Sequence, residues 1–291
     1  MDKIKKKQMG IIYIVISAFC FALMNVFVRL SGDLPSIQKS FFRNLVALVF
    51  ALIILKKDNV GFSGKKENIK YFLIRSLAGT IGILCNFYAV DHLVLSDASM
   101  LNKMSPFFVI IFSYFVLKEK IKVPQMIIVA TAFLGSLLII RPTTSLLQNP
   151  SSMIGLLGGM AAGLAYTYVR VLGEKGEKGP VIVFVFSAFS CIVTLPFVIA
   201  GYHPMSGMQV LFLLLAGLSA AGGQFSITAA YFYAPAREIS VYDYSQIVFS
   251  AALGFLIFHQ LPDMLSWIGY FIICAMAVCM YLYNNSGQTK K

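Results

Sequence analysis

Two residues of opposite charge lie inside apolar stretches of this sequence, and they are the side chains best placed to do chemistry. Lys103 lies in DASMLNKMSPFFV, and Asp243 lies between two tyrosines in ISVYDYSQIVF. A charge at the centre of a bilayer costs about 2.5–3.5 kcal/mol on insertion scales, so such residues normally face a protein interior or a wet cavity. We therefore expect either a structural ion pair or a pocket in which the two charges handle a polar substrate, a zwitterion or a proton.

Polar and aromatic residues near these charges complete the candidate substrate site. Tyr242 and Tyr244 flank Asp243 but point to different sides of a helix, so at most one of them is expected to share its wall. Tyr166 is an aromatic residue that either lines a pocket or marks a membrane interface. The other candidates are Asn102, Ser105, Ser245, Arg43, Tyr88 and Tyr168, and the last two tyrosines have the same two interpretations.

The elements that must position these residues are membrane helices. The chain has 291 residues, of which 58% are hydrophobic and 12% charged, and its mean hydropathy is +0.80. A soluble domain usually carries about 25% charged residues. A chain of this length with about half that share has the bilayer as its solvent.

Ten apolar segments of about 18–23 residues can each cross ~30 Å of hydrocarbon as an α-helix. We therefore expect an all-α polytopic membrane protein with ten transmembrane helices. The predicted spans are 9–30, 36–55, 70–90, 97–117, 123–140, 153–172, 180–200, 208–230, 238–258 and 264–283.

The distribution of lysine and arginine predicts the orientation. With ten spans, eighteen basic residues fall in the termini and the connections on one side, and only Arg29, Lys39 and Arg141 fall on the other. The positive-inside rule then places both termini in the cytoplasm of a multi-pass cell-membrane protein. The net charge of +12 is mostly a record of this topology and does not indicate nucleic-acid binding.

Two halves of five spans each are predicted, residues 1–145 and 146–291. An odd number of spans makes the second copy enter the membrane from the opposite face, which is the inverted repeat of many transporters. Shifting residues 70–140 by 140 positions aligns them with 210–280 without a gap, and it places Ser105 on Ser245 and Lys103 on Asp243. An inverted axis is expected to leave these two charges very roughly 10 Å apart in depth.

Two arginines inside predicted spans have two interpretations each. Arg43 lies in the outer third of span two, and Arg75 lies about one and a half turns inside span three. Each can extend its side chain to the nearer interface. Alternatively, both join Lys103 in an anion site, with three cations against one carboxylate. We favour Asp243 because it is deeper than the arginines, and we therefore expect a substrate that carries a positive group.

The sequence predicts no enzyme and no cofactor. It has no metal-ligand spacing, phosphate-binding glycine loop or ATP-binding motif. An intramembrane aspartyl protease needs two carboxylates, and Asp243 is the one clearly inside a span. A non-transporting membrane receptor or assembly protein is the other rival, and the inverted halves argue against it.

The chain resembles the drug/metabolite transporter superfamily, with two EamA domains. The resemblance rests on DASMLNKMSPFFVIIFSYFVLKEKIKVPQMIIVATAFLGSLLIIRP and SVYDYSQIVFSAALGFLIFHQLPDMLSWIGYFII. It implies a central cavity between the halves, with spans five and ten peripheral. The family's L-x-E after span four is kept as Leu117–Lys118–Glu119, whereas His259 stands where the second glutamate is expected. The Arg-Pro after span five and the Leu-Pro-Asp after span nine resemble the branch that includes S-adenosylmethionine carriers.

These observations together predict a secondary transporter that works by alternating access. The expected substrate is a small polar organic metabolite, amino-acid-like, zwitterionic or cationic, and the alternative is a broad-specificity drug or metabolite exporter. The expected partners are that small molecule and the lipid bilayer, with a possible homodimer and no nucleic acid.

Overall fold

The computed structural model describes residues 3–61, 64–93, 101–120, 122–140, 150–259 and 262–286, and every regular element in these ranges is helical. The long helices are α1 Lys3–Leu30, α2 Ser36–Lys57, α3 Ile69–His92, α4 Ser105–Leu117, α5 Val123–Ile140, α6 Pro150–Glu174, α7 Gly179–Ala200, α8 Gly207–Tyr233, α9 Ser245–Phe258 and α10 Met264–Ser286. A helical turn at Ala236–Ile239 and 3-10 segments at Lys66–Asn68 and Ser240–Tyr244 complete the order.

Eight segments in the described ranges are long and apolar enough to cross a membrane, which confirms an all-helical polytopic membrane protein. One of them joins the turn at Ala236, the 3-10 segment and α9 into a single candidate span, Ala236–Phe258. The remaining apolar helices, α4 and α5, are shorter. At 1.5 Å per residue α4 is only about 20 Å long, less than the hydrocarbon thickness.

The helices of predicted spans four and nine are interrupted in the same way. Around span four, residues 94–100 lie outside the described residues, Leu101 and Asn102 are helical, and a turn at Lys103 and Met104 precedes α4. In span nine the 3-10 segment interrupts the helix before Ser245. Pro106 lies in the first turn of α4, where its missing N–H breaks no helical bond, so it begins this helix.

Helices from the two parts of the chain pack against each other in a regular pattern. Helix α1 packs on α8 and α9, while α6 packs on α3 and α4; α2 packs on α7, and α5 on α10. Glycine allows the closest crossings because a side chain would collide. A Cβ on Gly82 would lie 3.1 Å from the Ala162 backbone nitrogen, and one on Gly10 would lie 2.9 Å from the Ala234 Cβ. Small residues of this kind are the usual contacts between membrane helices.

Both α4 and α9 end with a residue in the left-handed conformation. Lys118 has φ 53° and His259 has φ 54°, and each is the C-cap of its helix. The structure therefore matches His259 to Lys118, and not to Glu119 as the sequence comparison had it. The cause is one extra residue in α9, 14 residues against 13 in α4, which a shift without gaps does not take into account.

Candidate functional site

Lys103 and Asp243 form a direct ion pair. The Lys103 Nζ lies 3.1 Å from the Asp243 Oδ2, and the two side chains are 8% and 13% exposed. The ammonium also donates to the Gln246 Oε1 at 2.6 Å and to the Asp243 backbone oxygen at 3.4 Å. Three acceptors from one short segment therefore satisfy the three donors of this lysine.

Two interruptions of helical structure, called here the breaks, hold this pair in place: the turn at Lys103 and Met104 and the 3-10 segment Ser240–Tyr244. Each charge comes two residues before the serine that begins a helix, Ser105 for α4 and Ser245 for α9. The Tyr244 hydroxyl donates to the Lys103 backbone oxygen at 3.2 Å, which joins one break to the other. Because the positive ends of two helix dipoles begin here, a carboxylate at this level is favoured over one deeper in a continuous helix.

The expected depth offset of about 10 Å does not keep the two charged groups apart. Both residues lie in the breaks before α4 and α9, and the Lys103 side chain places its ammonium beside the Asp243 carboxylate. The same breaks expose backbone groups that an intact helix would use, so the contact between them is polar as well as charged.

The polar neighbours of the pair are only partly those that the sequence indicated. Tyr244 contacts Lys103 directly, whereas the buried Tyr242 hydroxyl has no hydrogen-bond partner in the described part of the chain. The Ser245 hydroxyl donates to the Tyr242 backbone oxygen at 2.7 Å, so it stabilises its own turn. Gln246 was missed, although an amide one turn after an intramembrane aspartate was a usable signal.

Asn102 and Ser105 flank the Lys103 turn, with Asn102 half-buried and Ser105 buried. Two predicted tyrosines are engaged elsewhere. Tyr88 is exposed and stacks on His92, with 3.9 Å between the ring centroids. Tyr168 packs beside Tyr71 at 6.1 Å between centroids. A role for any of these residues in substrate binding stays a prediction.

The expectation that Arg75 reaches the membrane interface is wrong, because its side chain is fully buried. Arg75 is 1% exposed and Arg43 is 6% exposed. Arg75 donates to the Gln224 Oε1 at 3.3 Å, and Arg43 donates from Nε to the Met24 Sδ at 3.2 Å. Because Arg75 is close in sequence to its helix end, its side chain was expected to extend to the membrane interface. In the structure α7 and α8 pack over the side chain and hold it inside the bundle.

A second polar cluster surrounds the C-terminal end of α4. Glu119 lies 3.8 Å from the Arg170 Nε and 3.9 Å from the Arg237 Nη1, and Arg170 also pairs with Glu174 at 3.0 Å. Burial raises the pKa of the Glu119 carboxyl, while the two arginines oppose that rise. This cluster ties the connection after α4 to α6 and to the turn at Ala236–Ile239.

Two open clefts lie away from the ion pair. A cleft of about 550 Å³ is lined by residues that include Lys6, Tyr13 and Thr228, and one of about 440 Å³ is lined by residues that include Lys118 and Lys175. Neither is lined by Lys103 or Asp243.

Comparisons with known proteins give the family. The model of the EamA-like transporter family matches residues 8–141 and 150–282. The chain is 30% identical to the pseudopaline exporter CntI of Pseudomonas aeruginosa over 273 residues, 93% of this chain and 95% of that protein. It is 24% identical to a riboflavin transporter of Brucella anthropi, over 95% of this chain and 99% of that one.

Two further comparisons agree. The chain is 25% identical to human solute carrier family 35 member G1, over 87% of this chain and 73% of that protein. A solved crystal structure superposes with a TM-score of 0.81 at 13% identity, over 95% and 98% of the two chains, which shows a shared fold. The relatives are named as transporters and exporters, and not as enzymes. The chain belongs to the EamA-like transporter family.

Proposed function

We propose that this membrane transporter is a secondary carrier that moves a small polar organic metabolite across the cytoplasmic membrane by alternating access. The observation that carries the proposal is the ion pair between Lys103 and Asp243. It joins two interrupted helices at their starting points. Interrupted helices of this kind form the substrate sites of many secondary transporters, because their free backbone groups and dipoles face the centre of the bundle.

The proposed architecture is ten transmembrane helices in two inverted repeats, residues 1–145 and 146–291, with both termini cytoplasmic. Three features support it. First, the helix contacts are symmetric: when helices n and n+5 are exchanged, the pairs of helices with the most extensive contacts are the same. Second, the two breaks carry Lys103 and Asp243 at matching positions. Third, α4 and α9 each end in a left-handed cap. The family model also matches twice along the chain.

In this mechanism the ion pair stabilises the state in which the two proposed repeats are in contact at the breaks. One partner comes from each proposed repeat, so movement of one repeat against the other changes the distance between them. Breaking a buried pair leaves two uncompensated charges and is costly. A polar substrate that binds between the breaks replaces the lost contacts, and this couples opening to occupancy. The energy for net movement comes from a gradient or from exchange.

The substrate that fits best is amino-acid-like and zwitterionic. A purely cationic substrate is less well supported, because Lys103 already neutralises Asp243 at 3.1 Å. A zwitterion brings one group for each partner when the pair opens. The resemblance to S-adenosylmethionine carriers stays a prediction. A homodimer also stays a prediction, and light scattering of the protein in nanodiscs measures the oligomeric state.

Exchange in proteoliposomes tests the proposal. Vesicles are loaded with unlabelled glutamate, glutamine, lysine, S-adenosylmethionine or succinate, and entry of the labelled compound is followed. We expect exchange of at least one compound, lost in Asp243→Asn and retained in Lys70→Met, a matched change of an exposed lysine on α3. Comparable exchange of every compound would indicate the broad-specificity exporter. Equal rates in empty and protein-containing vesicles for the whole set would contradict a carrier of this class.

A further inference from the structure

Two buried arginines lie in the bundle without a carboxylate partner. Arg43 in α2 is 6% exposed and Arg75 in α3 is 1% exposed. Within the described ranges, no carboxylate oxygen lies within 4.0 Å of either guanidinium. The Phe21 ring beside Arg43 packs against Gly223 of α8. The next residue, Gln224, accepts from Arg75, so both guanidinium groups lie at the same part of α8. They therefore form one cationic region, called here the arginine site.

All contacts of the arginine site are with neutral groups. Arg43 has the Met24 sulfur at 3.2 Å and the Phe21 ring at 6.0 Å. Arg75 has the Gln224 amide oxygen at 3.3 Å and lies over the Phe186 ring, 4.1 Å from its centroid. These contacts solvate a guanidinium but leave its charge uncompensated.

Several buried donors of α3 also have no acceptor among the described residues. The Arg75 Nε is buried and has no acceptor in the described residues, and neither do the buried hydroxyls of Ser76 and Thr80, on the same helix. Buried polar atoms without partners are rare in native proteins. Gly79 makes the room that the guanidinium occupies, because a Cβ at this position would overlap the Arg75 Nη1.

The partly buried arginines Arg170 and Arg237 differ from these two because they have carboxylate partners. Arg170 pairs with Glu119 and Glu174, and Arg237 pairs with Glu119 and Glu238. The exposed Arg29 lies over the Phe258 ring at 4.5 Å, a contact like that of Arg75 but at a helix end. Only Arg43 and Arg75 combine burial with the lack of a carboxylate among the arginines that the structure describes.

We propose that Arg43 and Arg75 bind an oxyanionic group of the substrate, a carboxylate or a phosphate ester. This rests on the proposed function, whose substrate class it narrows. The planar fork of a guanidinium matches both groups with two parallel hydrogen bonds, and the unpaired Arg75 Nε supplies a further donor. An amino-acid-like substrate then has its carboxylate at the arginine site and its ammonium group toward Asp243.

Binding to the purified protein in nanodiscs tests the proposal without any transport step. The ligands are succinate, glutamate and glycerol 3-phosphate, with putrescine and glycerol as cationic and neutral probes. We expect at least one anion to raise the melting temperature in proportion to the logarithm of its concentration, as mass action requires for a ligand of the folded state. Comparing the melting-temperature shift with succinate to that with glycerol 3-phosphate shows whether the site binds a carboxylate or a phosphate ester.

The variants are Arg43→Met and Arg75→Met, with Arg29→Met as the matched control. We expect each of the first two to weaken anion binding at least tenfold and to raise the ligand-free melting temperature, since each removes a buried unpaired charge. The control retains binding. Arg75→Lys keeps the charge but loses the fork, so it retains the preference for anions with weaker affinity; this variant stays informative if a methionine variant does not fold.

The outcomes separate this proposal from the proposed function. Failure of all three anions to stabilise the protein, or stabilisation that survives both methionine substitutions, overturns the arginine site. Anion binding that depends on Arg43 and Arg75 without exchange in vesicles keeps the site and contradicts the carrier. Exchange that competing anions do not affect and that Arg43→Met and Arg75→Met both retain keeps the carrier and removes the site.

Discussion

Removing either partner of the central ion pair is expected to destabilise the protein far more than removing both. Lys103→Met leaves the Asp243 carboxylate, 13% exposed, without its only cation within 4.0 Å among the described residues. Breaking a buried pair costs about 3–5 kcal/mol in the free energy of unfolding. The upper end applies here, because the Gln246 oxygen loses its donor at the same time.

Asp243→Asn is expected to cost less than Lys103→Met. The ammonium of Lys103 keeps the Gln246 oxygen at 2.6 Å and the backbone oxygen at 3.4 Å, so its charge stays partly solvated. We expect a loss near about 3 kcal/mol. The double variant removes both charges and is expected to fall within about 1–2 kcal/mol of the natural protein, which corresponds to a coupling of about 6 kcal/mol.

Reversible unfolding in mixed detergent micelles measures these differences, and Lys70→Met serves as an exposed lysine control, expected within about 0.5 kcal/mol of the natural protein. Transport then separates two roles for the pair. A purely structural pair predicts that the double variant recovers both stability and exchange, whereas a substrate site predicts recovery of stability alone. Additive losses in the double variant would refute the reasoning, because additivity means that the two charges do not interact.

Three further predictions test other parts of the molecule. Gly159→Ala is expected to lower the melting temperature and slow exchange, because a Cβ there would overlap the Leu101 backbone oxygen next to the Lys103 turn, whereas Gly207→Ala, with open space around it, should change neither. Burial raises the pKa of the Glu119 carboxyl in the folded state. Below about pH 4.3 the carboxyl is protonated in both the folded and the unfolded state and costs no stability. As the pH rises through the folded-state pKa, the buried group must ionise, and the protein loses stability. Stability should therefore fall with pH across that window, and Glu119→Gln should remove this part of the slope in pH-dependent unfolding. In a cysteine-free background, cysteines at positions 5 and 147 should be labelled by an impermeant maleimide from opposite sides; labelling from one side would contradict the inverted topology.

The sequence alone determined the fold class and the kind of function. Membrane insertion depends on the local average of side-chain hydrophobicity, which is readable along the chain without knowing any contact. The same is true of unusual charges. Lys103 and Asp243 stand out because a charge in an apolar segment is costly whatever surrounds it. The resemblance to EamA domains rested on such runs, and the family comparison confirmed it.

Only the tertiary structure decided how these charges are used. The contact between Lys103 and Asp243 joins residues 140 positions apart, and it depends on two helix breaks that hydrophobicity does not mark, because a hydropathy average over a whole span does not locate them. Burial of Arg75 likewise depends on Phe186 and Gln224, which come from distant helices. A side chain's distance from its own helix end is a local property, whereas its access to water is set by the neighbours that pack over it.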